Sequence, residues 1–189
     1  MNLTELSKQI RFDNASKGFD PTEGGLDRYL LLTISELCEA QDELRNGRDI
    51  NEVYYTDNEG NELLDTPLTR EYGKPCGFPV EIADAIIRLL DICGKFNISV
   101  RILKEYYNVK SKDEIETILL VFCKDIALLS YDNLDSSLGA NRFNVNIASI
   151  IGRLIAFCNS PEIKIDILKV INEKLAFNKS RPPKHGRKF

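Results

Sequence analysis

Residues 79–95 form an apolar segment with one narrow polar stripe, and this pattern limits the possible folds more than any other in the sequence. In PVEIADAIIRLLDICGK, apolar side chains would cover most of the circumference of a helix, and such a helix is normally buried. Its polar residues Glu81, Asp84, Arg88 and Asp91 recur at i, i+3, i+7 and i+10, which places them on one face. The segment therefore predicts a buried helix that directs a line of carboxylates at its neighbours.

A second acidic pair lies in the run LLTISELCEAQDEL, residues 31–44. Glu36 and Glu39 are three residues apart, so they share one helix face, as Glu81 and Asp84 do. Either stripe alone is typical of a solvated helix face. Two such helices facing each other would gather four carboxylates that repel one another unless a cation is bound. Hard divalent cations prefer oxygen ligands, so the two pairs together favour a divalent-metal site.

Composition limits the classes of protein that the chain can represent. Its 189 residues suffice for one domain of ordinary size, and its 43% hydrophobic and 29% charged residues are typical of globular proteins. The net charge of -4 argues against a dedicated nucleic-acid binder. No run is long enough to span a bilayer, and the first residues lack the apolar core of a secretory signal. We therefore expect a cytoplasmic protein with no membrane partner.

The cysteines and the single histidine do not form a recognisable zinc-binding pattern. The five cysteines include no C-x-x-C pair, and His185 is the one histidine of the sequence. Most of the cysteines lie within apolar helical patterns. We therefore expect reduced and mostly buried thiols.

Helical patterns cover almost the whole chain, so we predict an all-α single domain spanning residues 1–189. Gly47 follows the second helix as a left-handed cap. Residues 48–78 are polar and rich in turn signals, which predicts an irregular or small hairpin insertion. The capping-box pattern of residues 111–114 precedes the fifth helix, and Ser160-Pro161 is expected to open the last one. The predicted helices span about 4–15, 26–46, 79–95, 99–107, 115–129, 145–158 and 160–177.

An internal repeat underlies this pattern. EIADAIIRLLDIC (81–93) and NIASIIGRLIAFC (146–158) share their apolar frame, their arginine and their final cysteine, and LLVFCKDIALL (119–129) corresponds loosely to LLLTISELCEA (30–40). The carboxylates are not repeated: Glu81, Asp84 and Asp91 are replaced by Asn146, Ser149 and Ala156. We therefore predict two homologous helical halves, about 1–110 and 111–178, that pack as a pseudo-dimer. The alternative is that two amphipathic helices share these residues by chance.

Four segments, in order, resemble the motifs of the MazG-like all-α nucleoside triphosphate pyrophosphohydrolases, close to the short forms found in phage. They are NASKGF (14–19), SELCEA (35–40), EIADAIIRLLD (81–91) and KLAFNKSRPPKHGRK (174–188). The corresponding family patterns are N-x-x-K-G-W/F, E-x-x-E, E-x-x-D with R-x-x-D, and K-x-x-Y-N-x-x-R-P-x-x-H-G-x-K. The chain departs from the family at Ser35, where a second Glu is common, in the longer interval between the acidic motifs, and in the second half that precedes the tail.

This resemblance implies a MazG-like helical bundle that converts a (d)NTP to the (d)NMP and pyrophosphate with Mg²⁺, for which Mn²⁺ substitutes. It implies a homodimer or a pseudo-dimeric monomer, with the basic tail, residues 179–189, completing the site. The implied metal-binding and catalytic residues are Glu36, Glu39, Glu81 and Asp84. The implied substrate contacts are Asn14, Lys17, Phe19, Arg88, Asp91, Lys174, Asn178, Arg181, His185 and Lys188. For Arg88 a rival role is to orient Asp84, and for Phe19 it is to pack in the core.

Three alternatives stay open. One is a dUTPase-like hydrolase, which is also all-α, magnesium-dependent and built from a duplicated helical unit. Another is an inactive regulatory homologue. The third is a non-catalytic helical protein that binds nucleotides or nucleic acid through its basic tail, although a binding module has no need of the acids in the first half. The preferred base and sugar also stay open.

Overall fold

The computed structural model describes residues 2–20, 25–100, 114–131 and 136–181. This part of the chain is predominantly helical, as predicted. A short 3-10 turn, Leu129–Tyr131, follows the fifth helix. None of the helices in the described ranges has the length and apolarity needed to cross a membrane. The α-helices are α1 (Leu3–Ser16), α2 (Leu26–Arg45), α3 (Pro67–Tyr72), α4 (Phe78–Phe96), α5 (Ile115–Leu128), α6 (Ser137–Cys158) and α7 (Ile167–Ser180).

Helix α4 is the buried central helix that the apolar segment predicted. Pro79 occupies its first turn, where the missing N–H has no intrahelical partner to lose. Asn97 ends it in the left-handed conformation, with φ of 55°. The helices α1, α2, α6 and α7 all pack against it. α1 lies so close that a Cβ atom on Gly94 would collide with the carbonyl oxygen of Ser7.

One cluster of buried apolar side chains holds the described helices together. It draws on every α-helix except α3, so both predicted halves contribute to the same core. Four phenylalanines, Phe78, Phe122, Phe143 and Phe157, are among its largest fully buried members. The cysteines are all unpaired; three are buried, Cys123 is half-buried and Cys38 is exposed.

The insertion contains the predicted hairpin and two further elements. Strands β1 (Tyr54–Thr56) and β2 (Glu62–Leu63) pair antiparallel, with Tyr55 opposite Leu63. A third strand, β3 (Lys74–Cys76), pairs with the other edge of β1 and gives the order β2-β1-β3. Thr66 caps α3 between β2 and β3. The sequence did not indicate α3 or β3, because each is too short to show a period.

Two helix starts differ from the prediction. α6 begins at Ser137, where Ser136 accepts a hydrogen bond from the N–H of Gly139, and not at 145. The last helix begins at Ile167 and not at Ser160, because Lys164 has a φ of 58° that breaks the helix and Asp166 caps the N–H of Lys169. The predicted left-handed cap at Gly47 is confirmed, with φ of 80°. The helix expected at 99–107 and the capping box at 111–114 lie largely outside the described residues.

Candidate functional site

Two packed helices bring three of the four predicted metal ligands together. α2 and α4 lie against each other, and each carries one acidic pair. One carboxylate oxygen from each of Glu36, Glu39 and Glu81 lies within 4.8 Å of the other two. Glu36 is 6% exposed and Glu81 is 7% exposed, whereas Glu39 is open to solvent. We call these three residues the acidic triad.

Glu81 is the least compensated member of the triad. Its carboxyl group makes no hydrogen bond or ion pair with any described residue. Burial raises its pKa to about 8; Lys174 opposes this, and the neighbouring acids reinforce it. A group in this state binds a proton strongly, and it would become a carboxylate once a cation supplied the missing partner.

Glu36 is held by an arginine from the neighbouring helix. Arg88 Nε donates to Oε1 of Glu36 at 2.7 Å, and Nη2 lies 2.5 Å from the same oxygen. Burial raises the pKa of Glu36, although Arg88 works in the opposite direction. The rival role of Arg88, to orient Asp84, is not the one adopted, since the guanidinium reaches across to Glu36 on α2.

Asp84 lies outside the triad because it pairs with a lysine of α7. Lys174 Nζ is 2.9 Å from Oδ2 of Asp84, and the lysine is only 4% exposed. Burial acts to lower the pKa of Lys174, but the charge of Asp84 outweighs it and the pKa is raised. Lys174, which the motif resemblance assigns to substrate phosphate, thus compensates a predicted metal ligand.

Asp91 is fully buried and is the centre of a hydrogen-bond network. Its Oδ1 accepts a hydrogen bond from Arg11 Nη1 at 3.0 Å, and its Oδ2 accepts bonds from Asn14 Nδ2 at 2.9 Å and Tyr29 OH at 2.8 Å. Burial raises the pKa of Asp91 despite these donors. We call these four residues the Asp91 network. Asn14 and Asp91, both predicted as substrate contacts, bind each other and join α1 to α4.

Lys17 closes the C-terminal end of α7. Its Nζ donates to the carbonyl oxygens of Asn178, Arg181 and Lys179, at 2.5, 2.8 and 3.0 Å. A cation is favourable there because the last carbonyls of a helix have no intrahelical partner. To contact a substrate phosphate, Lys17 would have to give up these bonds.

The remaining predicted contacts lie on α7 and beyond it. Asn178 is on the same face of α7 as Lys174, one turn later, and its buried Oδ1 has no hydrogen-bond partner among the described residues. The guanidinium of Arg181 is 5.8 Å from the centre of the Phe177 ring. Phe19 is half-buried, and its carbonyl oxygen accepts from Arg11. His185 and Lys188 lie outside the described residues.

A further ion pair, between α5 and α6, resembles the one at Glu36. Arg153 Nη2 on α6 is 2.6 Å from Oδ2 of Asp125 on α5. The guanidinium of Arg153 is 5.5 Å from the centre of the Phe122 ring, and that of Arg88 is 5.8 Å from the Tyr29 ring. An arginine beside an aromatic ring and a carboxylate thus occurs both between α2 and α4 and between α5 and α6.

Sequence reasoning missed Tyr29 and Arg11 in the Asp91 network. Helical spacing offered a signal for each: Tyr29 lies seven residues before Glu36, and Arg11 lies three residues before Asn14. Neither signal identifies the partner, because Asp91 belongs to a different helix.

No family model, curated protein or solved structure matches this chain. The motif resemblance to MazG-like proteins therefore stays a prediction.

Proposed function

We propose that the acidic triad, with Asp84, binds Mg²⁺ and that the protein hydrolyses a nucleoside triphosphate to the monophosphate and pyrophosphate. The proposal rests on Glu81. Its buried carboxyl group lies beside two other acids and has no hydrogen-bond or ion-pair partner among the described residues. Burying an ionised carboxylate without a partner is costly. A bound divalent cation would compensate all three acids at once.

The donor set fits Mg²⁺ better than a softer metal. All the side-chain ligands of the triad are carboxylate oxygens. Mg²⁺ is usually bound by a few carboxylates together with substrate phosphate oxygens, whereas Zn²⁺ favours nitrogen and sulfur ligands. Mn²⁺ accepts the same oxygen ligands and is expected to substitute.

The residues around the triad have separate tasks in the proposed reaction. When bound, Mg²⁺ supplies polarisation of the phosphoryl group and a lower pKa for a bound water. Arg88 fixes one oxygen of Glu36 and leaves Oε2 for the metal, while Lys174 fixes Asp84. We assign the exposed Glu39 to orient the attacking water. The unpartnered Oδ1 of Asn178 is an acceptor for a sugar hydroxyl or a base amino group.

We further propose that the chain is a MazG-like pseudo-dimer whose second half lacks the acids equivalent to Glu81, Asp84 and Asp91. α2 packs on α4 and α5 packs on α6, while α2 also contacts α5 and α4 contacts α6. The loose alignment of 119–129 with 30–40 sets Asp125 opposite Glu36, just as Arg153 is set opposite Arg88. The two ion pairs therefore occupy equivalent positions, which supports a duplication.

A substrate panel tests the activity. We expect purified protein with Mg²⁺ to release pyrophosphate from at least one dNTP or NTP. Glu81→Gln should abolish this release, and Glu5→Gln, at an exposed position on α1, should not change it. Cleavage of dUTP alone would favour the dUTPase-like alternative. If no nucleotide yields pyrophosphate with either Mg²⁺ or Mn²⁺, the proposed activity is wrong.

A further inference from the structure

We propose that Tyr29 and Asp91 are positioning residues that hold Arg88, and through it Glu36, in the geometry that metal binding requires. The metal-binding part of this inference rests on the proposed function, whereas the effect on Arg88 does not. Neither residue is placed in contact with the metal or the substrate.

Tyr29 is fixed at both ends of its side chain. Its backbone belongs to α2, two turns before Glu36, and its hydroxyl donates to Asp91 on α4 at 2.8 Å. The ring lies 5.8 Å from the guanidinium of Arg88, within the range of a cation–π contact. The ring cannot move away from Arg88 without breaking a hydrogen bond to a buried carboxylate, which is costly.

Asp91 in turn is fixed by α1. It is fully buried, and Arg11, Asn14 and Tyr29 together occupy both of its oxygens. These three donors explain how Asp91 can be buried without contacting a substrate. The bonds form a continuous path from α1 through Asp91 and Tyr29 to the Arg88–Glu36 pair. Residues that orient a metal ligand through such a path commonly control metal affinity.

The aligned segment of the proposed second half keeps the arginine pair but not the buried acid. Arg153 pairs with Asp125 and lies 5.5 Å from the centre of the Phe122 ring, and Ala156 stands where the first half has Asp91. Among the aligned residues, the buried acid therefore accompanies the segment that carries Glu81 and Asp84, which favours a role for Asp91 in positioning the Arg88–Glu36 pair.

The test uses Tyr29→Phe in the full chain, which keeps the ring and removes the hydroxyl. In the metal-free protein we expect the NMR signal of the Arg88 Nε–H to weaken or disappear through exchange with water. The Arg153 signal in the same spectrum should not change. In calorimetry with Mn²⁺ alone, we expect about tenfold weaker binding, the lower end of the usual effect of such residues. Tyr54→Phe, which removes a hydroxyl bonded to Glu43 on α2, is the matched control and should bind Mn²⁺ as the wild type does.

The outcomes separate this inference from the proposed function. The positioning role is wrong if Tyr29→Phe leaves both the exchange of the Arg88 Nε–H and the affinity for Mn²⁺ as they are in the wild type. Equal weakening by Tyr54→Phe would also overturn it, because the effect would then be general. If the unmodified protein binds no Mn²⁺ and releases no pyrophosphate, the proposed function is wrong. Loss of the Arg88 signal alone in Tyr29→Phe would even then support the positioning role.

Discussion

At the scale of single residues, each acid around α4 is compensated in a different way. Arg88 holds Glu36, Lys174 holds Asp84, and three donors hold Asp91. Glu81 is buried beside other acids and has no hydrogen-bond or ion-pair partner among the described residues. A bound cation would supply the partner that Glu81 lacks.

The stability of the metal-free protein is expected to fall as pH rises from about 4.5 to about 8. Glu81 has a pKa of about 8 in the folded protein, against an ordinary value of 4.5. Between these pH values Glu81 keeps its proton in the folded state and has lost it in the unfolded state. The contribution of Glu81 to stability is therefore complete below pH 4.5 and is lost as the pH rises through about 8. Thermal unfolding in EDTA across this range measures the effect. Glu81→Gln should flatten the slope, and an unchanged slope would contradict the assignment.

Asp84→Asn is expected to destabilise the protein by about 2–3 kcal/mol, since removing one member of a buried ion pair leaves an uncompensated charge. Lys174 is the charge left behind, at 4% exposure. The free energy of unfolding in urea measures the loss. Glu5→Gln, in an exposed pair with Lys8, should change it by less than about 0.5 kcal/mol. Equal effects of the two variants would mean that Asp84 is screened by water.

At the scale of elements, α7 is attached to the bundle by charged contacts along its length. Lys174, in the middle of α7, pairs with Asp84 of α4, and Lys179 of α7 lies 3.4 Å from Asp13 of α1. Lys17 binds the carbonyl oxygens at the C-terminal end of α7. These contacts keep the face that carries Lys174 and Asn178 next to the acidic residues. The position of α7 therefore depends on residues before α2 in the chain.

Lys17→Met is expected to loosen the last turn of α7. Loss of the ammonium leaves three carbonyl oxygens without this donor and removes a favourable charge at the helix end, worth about 1 kcal/mol. Faster hydrogen exchange of the amides in the last turn of α7 measures the change. Lys8→Met on the exposed side of α1 is the control. If the amides of this turn exchange at the same rate in both variants, Lys17 does not stabilise the end of α7.

The helices that could be predicted well are those with a strong apolar period and a clear terminus. α1, α2 and α4 begin and end within one or two residues of the prediction, because caps and periodicity act locally. The sequence predicts that α7 begins earlier, at Ser160-Pro161, because a serine followed by a proline is a good helix start. The turn at Lys164 depends on the chain returning to Cys158, whose carbonyl accepts from the N–H of Ile165.

At the scale of the whole molecule, the two halves that we propose contribute to one core but differ in their acidic residues. Both contain an arginine–carboxylate pair between two packed helices. The first half adds Glu39, Glu81, Asp84 and the Asp91 network to this frame. The ion pair is therefore common to both segments, whereas the acidic triad that we propose for metal binding requires the additional acids Glu39 and Glu81 of the first.

Arg88→Met and Arg153→Met are expected to destabilise the protein alike, by about 1–2 kcal/mol, because both arginines are partly exposed members of equivalent pairs. Urea unfolding measures this loss. Arg88→Met should also weaken Mn²⁺ binding in calorimetry, whereas Arg153→Met should leave it unchanged. Equal weakening by both variants would contradict the division between a chemical and a structural half.

The helical class, the buried central helix and the two acidic pairs could be read from the sequence, because the period of apolar and charged residues is a local property of the chain. The cation that compensates each acid could not be read in this way. Arg88 lies four residues from Asp84 on the same helix, yet it bonds to Glu36, 52 residues away. That choice depends on how closely helices approach each other. Glu81 is left unpaired for the same reason, because no donor of the described helices that surround it reaches its carboxyl group.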